Sequence, residues 1–242
     1  MTWREQSGTP GLLDLVRLAN GSPTAPEAVE NPEKLTEAQG LATSLNIASM
    51  YWHGLTKNGN PILWVRTNRR PWFPDVANDL KALVALADIG VNAMPKGITD
   101  FVVISDSSSP PPPHPTFLIG LLKALVRGYP DRLNLLVSAP VHSIIQGVMS
   151  LLLPLMPGML APKIVLMGSD TIVEKLEDLL MNGEDDIPNF FGGPVDHDEF
   201  YPTDYYSTNR GEGNLKFDVF GMIERLEKER DTFEAAHPDI SE

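Results

Sequence analysis

The apolar and polar positions along the chain predict strands that alternate with helices. Short runs rich in apolar residues, typical of strands, lie at 47–52, 61–67, 101–104, 133–139 and 163–167. Apolar residues recur at helical spacing in 73–93, 116–127, 170–181 and 218–236. The runs 133–137 and 164–167 are almost wholly apolar, as in strands that are covered on both faces. The pattern therefore predicts an α/β fold with a mixed or parallel sheet and crossover helices.

The most apolar part of the chain is the segment from Ile144 to Met167. Its length would allow a membrane span, but Pro154, Pro157 and Pro162 would break a straight helix, because each lacks an N–H donor and clashes with the preceding turn. Two interpretations remain. The segment is either a buried core helix with a broken end or a mobile apolar lid over a lipid-sized cavity. From the pattern alone, a stripe this apolar is more often core.

The ends of the chain differ from its middle. Residues 1–44 are rich in Pro, Gly, Glu and Thr, which predicts an irregular arm with one short helix near 12–18. The chain has no cysteine, which excludes disulfides and thiolate metal sites. Its first residues lack the basic start and long apolar run of a signal peptide. We expect a soluble or peripheral protein of the cytoplasm or an organelle, without a signal peptide or transmembrane helix.

The formal net charge of −13 is unevenly distributed. Residues 1–169 are nearly balanced, whereas residues 170–242 are strongly acidic. This asymmetry indicates an acidic surface or tail. It argues against a nucleic-acid partner, which requires a basic face, and disfavours strong binding of the acidic end to anionic membranes.

Candidate catalytic and metal-binding groups are few. Asp196–Glu199 could hold a cation, but its oxygens lack the spacing of an EF-hand, and a solvated acidic loop is the better interpretation. Ser107–Ser109 could be paired with His142 and Asp106 as a hydrolase site, but no G-x-S-x-G motif surrounds them. We predict no enzyme activity, no catalytic residue, no metal site and no cofactor.

The basic cluster of the chain consists of Arg66, Arg69 and Arg70, which follow a predicted strand. Guanidinium groups bind phosphate through paired donors, so the cluster is a candidate site for a lipid headgroup. The equally weighted alternative is pairing of these arginines with the acidic C-terminal region.

Several short motifs follow one another in an order and spacing typical of one protein family. Gly59–Arg66 is similar to that family's first-strand motif GRPVxxxR, and Tyr129–Arg132 is similar to YPER, which precedes a central strand. Ser138–Pro140 stands in place of NAP at the end of that strand, and Pro154 stands in the position of KPFL. Lys163–Gly168 and Ile187–Gly193 are similar to KIxxLG and LPxxxGG. Over roughly residues 45–200 the chain resembles the CRAL-TRIO (Sec14-like) lipid-binding family.

The resemblance implies a CRAL-TRIO fold, in which a mixed or parallel sheet with crossover helices forms the floor of a cavity and a mobile apolar helix gates it. It favours the lid interpretation of the apolar segment, and methionines suit an irregular cavity wall. The ligand-binding residues expected from it are Trp64, Ile144, Ile145, Val148, Met149, Leu152, Met156, Met159 and Met167. Arg66, Arg69 and Arg70 are the candidates for headgroup binding.

The chain departs from the family's pattern at two places that concern the ligand. Ile144 and Ile145 stand where phosphatidylcholine-binding members have Ser and Thr after the Ala-Pro pair, and Asn189 and Phe190 stand where a basic residue is common. Both changes favour a neutral ligand over a phospholipid headgroup. The candidate ligands are a phospholipid, a sterol, or a tocopherol-like, retinoid or carotenoid molecule. The family's basic N-terminal helical domain is also not visible in the sequence.

We therefore expect an irregular arm at 1–44, a CRAL-TRIO domain at 45–200 and an acidic extension with a terminal helix at 201–242. The domain is expected to bind one hydrophobic ligand, which it could transfer at a transient membrane contact. The alternative is a structural subunit of a larger, membrane-associated complex that keeps the fold without lipid transfer and binds protein partners through its two terminal arms.

Overall fold

The computed structural model describes residues 32–109, 114–141, 143–152, 154, 158, 160–203 and 215–241. Its centre is a five-stranded sheet in the order β1-β2-β3-β4-β5. The strands are β1 (Met50–Leu55), β2 (Pro61–Arg66), β3 (Phe101–Asp106), β4 (Leu133–Ala139) and β5 (Ile164–Leu166). β1 and β2 are antiparallel, and the other neighbours are parallel. The predicted mixed α/β sheet is confirmed.

The helices also follow the predicted order, with ends that differ by a few residues. They are α1 (Pro32–Asn46), α2 (Val76–Asn92), α3 (Pro115–Lys123), α4 (Ser143–Leu152), α5 (Ile172–Leu179), α6 (His197–Phe200) and α7 (Val219–Ala236). A π-helical turn, Ala124–Gly128, continues α3. Short 3-10 turns occupy Thr67–Arg69, Ala161–Lys163, Gly183–Asp186, Asn189–Phe191 and Pro238–Ser241. Asp75 and Asp218 cap α2 and α7 by accepting a backbone N–H of the first turn, as N-cap carboxylates do.

The two faces of the sheet are built by alternate residues of the same strands. Successive side chains in a strand point to opposite faces. On β2, Leu63 and Val65 face a cavity beneath α2 and α3, whereas Trp64 packs against Phe190 and His197 on the other face. Helices therefore cover both faces of the sheet, as its nearly all-apolar central strands require.

Trp52 joins β1 to α2. Its Nε1 donates a hydrogen bond of 2.6 Å to the carbonyl of Leu86, and its ring meets Phe101 edge-on with centroids 5.6 Å apart. A Cβ at Gly90 would lie 2.0 Å from the indole. Glycine at this position thus lets α2 approach the sheet closely enough to cover the large buried ring.

The N-terminal arm, predicted to be irregular as far as residue 44, ends instead in α1. Ala38, Leu41, Ala42 and Leu45 are buried along one helical face, and the Ser44 hydroxyl donates to a carboxylate oxygen of α2. Two of these four positions are alanines set among Gly, Ser and Thr, so the apolar pattern predicts the helix only weakly. The short helix expected near 12–18 lies outside the described residues.

The C-terminal helix α7 packs on β1. The backbone N–H of Trp52 donates to the sulfur of Met222 at 3.4 Å, and the backbone N–H of Gly54 donates to the carboxylate of Glu229 at 3.0 Å. Further along, Phe233 covers the β1–β2 turn so closely that a Cβ at Gly59 would lie 2.5 Å from its ring. The described part of the acidic extension therefore belongs to the same hydrophobic core as the sheet.

Replacing Leu41 tests whether α1 belongs to the folded domain. Leu41 is fully buried, so Leu41→Ala should lower the free energy of unfolding by about 2–5 kcal/mol through lost apolar burial and the cavity it leaves. Chemical denaturation followed by circular dichroism measures the change. Val173→Ala, at a position that is 41% exposed, is the control and should change stability by no more than about 0.5 kcal/mol. An equally small effect at Leu41 would contradict the packing of α1.

Candidate ligand-binding cavity

An apolar cavity of about 210 Å³ lies between the sheet and helices α2, α3 and α4. Its floor consists of side chains from all five strands of the sheet, and its cover comes from the helices. The floor includes Leu63, Val65, Val103, Leu136 and Leu166. The cover includes Leu83, Ala87, Phe117, Leu121 and Met149. Most of this surface carries no hydrogen-bonding group, so the cavity suits an apolar guest.

A row of three buried serines forms a polar end to this cavity. The Ser107 hydroxyl lies 2.8 Å from that of Ser138 and 3.1 Å from that of Ser105. Ser105 and Ser138 are register partners on the parallel strands β3 and β4. Two hydrogen bonds among three hydroxyls use two of their three O–H donors. Among the described residues, one donor and several lone pairs of this row therefore have no side-chain partner at the carboxyl ends of these strands.

Arg70 also lines the cavity, but its charge is balanced. Its guanidinium lies 3.8 Å above the Phe117 ring and donates to Asp79 at 3.1 Å. Asp79 is itself buried and accepts a second hydrogen bond from Ser44. A buried ion pair satisfied in this way resists exchange for a new anionic partner, because separating it leaves an uncompensated charge.

Arg66 and Arg69 lie on the opposite face of the sheet from the cavity. Arg66 pairs with Asp106 and Asp198, each at 3.2 Å, and its guanidinium covers the Phe190 ring at 3.8 Å. Arg69 also pairs with Asp198 and donates to the carbonyls of Ala48 and Tyr201. Both arginines thus bind the acidic C-terminal region to the sheet. This pairing is the arrangement given above as the alternative to binding of a lipid headgroup.

The residues expected in the cavity wall are only partly brought together. Met149 lines the cavity, whereas Trp64 lies on the other face of the sheet. Met167 is half-buried against the core just beyond β5. Ile144, Ile145, Val148 and Leu152 lie on the backbone of α4, with side chains outside the described part, and Met156 and Met159 are outside the described residues altogether.

The apolar segment that invited a membrane interpretation contains α4. Within the described ranges, no helix is both long and apolar enough to cross a bilayer. The exposed side chains of α4 include Ser143, Gln146 and Ser150, while Met149 reaches the cavity. The helix therefore presents a polar side to solvent and an apolar contact to the cavity.

The serine row and the residues of α2 and α3 extend the site beyond the predicted wall. Ser105 and Ser107 are two residues apart, with Asp106 between them, so strand alternation predicts that both serines lie on the same face of the sheet. The sequence does not tell that this face borders a cavity. The carboxylate of Asp106 turns instead to Arg66 and the backbone of Ser108. The triad of the hydrolase hypothesis is thus divided between two faces, and His142 lies outside the described residues.

The face of the sheet opposite the cavity holds a buried cluster of aromatic rings and histidines. Tyr51 stacks on Tyr201 with centroids 4.2 Å apart, and its hydroxyl lies 3.1 Å from Nδ1 of His197. His197 is fully buried against Trp64, and its Nε2 has no partner within the described structure. The stretch Asp196–Glu199 is thus not a loop as predicted, because it enters the short helix α6 and His197 anchors it in the core, although Asp198 and Glu199 are exposed to solvent.

This buried cluster has no sign of a metal site. In the described part of the chain, no group of three or more His, Asp or Glu side chains could hold a metal ion. Asp196 caps the short helix α6 by accepting the N–H of Asp198 at 2.9 Å, and Asp198 pairs with arginines. These carboxylates are thus committed to protein contacts.

Burial shifts the pKa values of several groups in and around this cluster, among them two histidines and one glutamate. It lowers the pKa of His197 to about 2, and neighbouring His53, Arg66 and Arg69 act in the same direction. Burial lowers the pKa of His53 to about 4, helped by Arg225. On α7, burial raises the pKa of Glu229 to about 7, although its hydrogen bond from Gly54 N–H opposes the shift. Both histidines are therefore neutral in the folded protein at neutral pH.

The fold and the cavity together define an α/β domain with a mainly apolar cavity between its sheet and its helices. A family model described as the CRAL/TRIO domain matches residues 46–193, more than half of the chain, so the chain belongs to the CRAL/TRIO family. This is a family of lipid-binding and lipid-transfer domains, whose members are typically not enzymes. The predicted family is confirmed.

A search of curated proteins found no match to the chain. Among solved structures, the crystal structure of Sfh5 is similar, with 11% sequence identity and a TM-score of 0.47. The likeness covers 90% of this chain and 76% of Sfh5.

The buried histidines predict a loss of stability in mild acid. The unfolded chain takes up a proton on each histidine below pH 6.5, whereas folded His53 does so only near pH 4 and His197 only near pH 2. The free energy of unfolding should therefore fall as the pH drops below 6.5, by up to about 1.4 kcal/mol per pH unit for each histidine. The raised pKa of Glu229 opposes this between pH 4.5 and 7, because it stabilises the fold at the acidic end.

His53→Gln removes one of these contributions and should reduce the slope of unfolding free energy against pH between 6.5 and 4.5. Urea denaturation at a series of pH values measures it. Ala235→Gln, at an exposed position of α7, changes no titrating group, so it serves as the control and should keep the wild-type slope. If His53→Gln also keeps that slope, His53 is not held neutral by burial.

Proposed function

We propose that the chain binds one lipid-like molecule in the cavity beneath α2, α3 and α4 and exchanges it with membranes. The observation that carries the proposal is the combination of mostly apolar walls with a row of three serine hydroxyls at the carboxyl ends of β3 and β4. A guest with a long apolar body and one small polar end would match this distribution of atoms. Affinity would come mainly from burial of apolar surface, at roughly 25 cal/mol per Å² before the costs of ordering the ligand.

The proposed ligand is neutral, with a hydroxyl or similarly compact hydrogen-bonding group beside Ser105, Ser107 and Ser138. The charges around the cavity support this choice. Arg70, which lines it, already has Asp79 as a partner, and Arg66 and Arg69 are paired on the other face of the sheet. A phosphate group would have to displace Asp79 from Arg70 to gain a guanidinium partner. Hydroxyl-bearing sterol-like, tocopherol-like or retinoid molecules need no such displacement.

We propose that the segment from Ile144 to Pro162 is the gate. The contact of Met149 with the cavity and the exposed polar side of α4 support this role. Outward movement of α4 would open the cavity without disturbing the sheet, because the floor is held by the parallel pairing of β2 to β5. The ligand could then leave toward a membrane.

Filling the cavity tests the proposal directly. Ala87 lies on α2 and lines the cavity, so Ala87→Phe would place a ring in the proposed ligand volume. We expect the bound lipid per chain to fall at least tenfold, measured by incubation with a lipid extract, repurification and mass spectrometry of the extracted ligand. Ala124→Phe, which enters the same cavity from the turn after α3, provides an independent second variant.

The matched control is Ala235→Phe, the same substitution at an exposed position of α7. It should bind as much lipid as the wild type. Circular dichroism should show that all variants are folded. If both cavity variants fold and still carry wild-type amounts of lipid, the ligand binds elsewhere and the proposal fails.

The serine row provides a test of ligand chemistry. Ser107→Ala removes the central hydroxyl of the row and should weaken binding of a hydroxyl-bearing neutral lipid by about 0.5–1.5 kcal/mol, or roughly two- to tenfold. Ser108→Ala is the adjacent control, because Ser108 is exposed. Fluorescence displacement with the free alcohol and with its methyl ether measures both. Equal effects of Ser107→Ala on the alcohol and the ether would contradict a hydrogen bond from the ligand hydroxyl to this row.

A further inference from the structure

Two adjacent aromatic side chains stand in solvent at the end of the loop between β2 and α2. Trp72 is 70% exposed and Phe73 is 91% exposed. Across the described residues, no other large apolar side chain is as exposed as either of them. Single exposed apolar residues are common on protein surfaces, but a contiguous exposed aromatic pair indicates a contact surface.

This aromatic pair lies at the rim of the proposed ligand cavity. The residues on either side of it, Pro71 and Pro74, both line the cavity, as does Arg70. Arg70 stacks on Phe117 of α3 at 3.8 Å, which brings the loop against the start of that helix. The same loop thus has one side in the cavity wall and carries the pair on its other side.

The outer face of α3 is exposed as well. Ile119 is 51% exposed, and Lys123, four residues further on, and Arg127, in the π-helical turn that continues α3, are also exposed. Residues four apart lie on the same side of a helix. The inner side of α3 lines the cavity through Phe117 and Leu121. Among the described side chains, Ile119, Lys123 and Arg127 are thus exposed on the helix that the loop contacts, and none of them lines the cavity.

We propose that Trp72 and Phe73, with the outer face of α3, form a docking surface for the interfacial region of a lipid bilayer. Tryptophan is enriched at membrane interfaces because its ring is apolar and its N–H can remain hydrated. The flanking prolines lack N–H groups, so the loop brings fewer unpaired donors toward the bilayer. Lys123 and Arg127 add attraction to anionic headgroups. The inference rests on the proposed function, because a lipid-filled cavity explains why the surface lies at its rim.

The charge around the pair does not oppose this contact strongly. Asp75 is exposed next to it and caps α2, while Asp79 is buried and paired with Arg70. Most of the negative charge of the chain lies in residues 170–242. The aromatic rings therefore provide most of the attraction, and the two cations make it moderately dependent on anionic lipid.

Vesicle binding by the full chain tests the docking surface. The double variant Trp72→Ser/Phe73→Ser should bind phosphatidylcholine vesicles containing phosphatidylserine on the order of tenfold or more weakly than the wild type, since it loses the apolar surface of two rings. Co-sedimentation measures the affinity. Phe220→Ser, at a 44% exposed position of α7, is the matched control and should bind like the wild type.

The position of the indole can be measured directly. Lipids brominated in the acyl chain should quench wild-type tryptophan fluorescence on vesicle binding. Trp72→Phe keeps an aromatic ring, so this variant should still bind vesicles but lose the quenching. Both proteins carry Trp3→Phe, which removes the fourth tryptophan, and Trp52 and Trp64 are buried and should not contribute. Quenching that persists in bound Trp72→Phe would overturn the placement of Trp72 in the bilayer.

Ligand loading separates this inference from the proposed function. The double variant should load a fluorescent sterol from cyclodextrin at the wild-type level but extract it from vesicles roughly tenfold more slowly. If the wild type loads no lipid from either donor while its vesicle binding still requires the aromatic pair, the proposed function fails and the docking surface stands.

Equal vesicle binding by the wild type and the double variant would overturn the docking surface, as would a wild type that does not bind vesicles. A wild type that stays off vesicles but forms dimers, which the double variant does not form, would assign the pair to a protein interface. Such a result would also overturn the proposal. The melting temperatures of the variants should match the wild type, because both side chains lie outside the core.

Discussion

The parallel register of β2, β3 and β4 is the constraint on which the rest of the structure depends. It aligns neighbouring residues across the sheet, and alternation then sends each residue and its successor to opposite faces. Ser105 thus joins the cavity while Asp106 joins the ion pairs behind it. A shift of pairing by one residue would exchange these two surfaces and place a carboxylate in the apolar cavity, at a large desolvation cost.

The same register places mainly neutral side chains on one face of the sheet and charged side chains on the other. The cavity face ends in hydroxyl groups and one paired arginine, whereas the opposite face holds the ion pairs of Arg66 and Arg69 with Asp198. Because Arg66 and Arg69 are buried, removing a carboxylate partner from them is costly, since the guanidinium charge is left uncompensated. The C-terminal region therefore acts as a structural counterion for the sheet, which leaves the cavity free of strong charge and suited to a neutral guest.

Much of the fold can be predicted from the sequence, because short apolar runs indicate the strands and apolar residues at helical spacing indicate the helices. The residue positions that were predicted wrongly have local causes. Successive side chains of β2 alternate between the two faces of the sheet, so Trp64 lies on the face opposite to Leu63. The sequence pattern does not tell which of the two faces borders the cavity. His197 is buried despite acidic neighbours, since only the folded structure brings Tyr51 to it. The serine row likewise requires the register of β3 against β4, which brings Ser105 beside Ser138 although they are distant in sequence.

The central claim is that one cavity, with a polar end and apolar walls, holds one neutral lipid. Native mass spectrometry of the wild-type chain, after exposure to a mixed lipid extract and removal of free lipid, tests this claim most directly. We predict a mass increase corresponding to a single lipid per chain, and organic extraction that yields a neutral, hydroxyl-bearing molecule. A chain that retains its bare mass after this treatment would contradict the account.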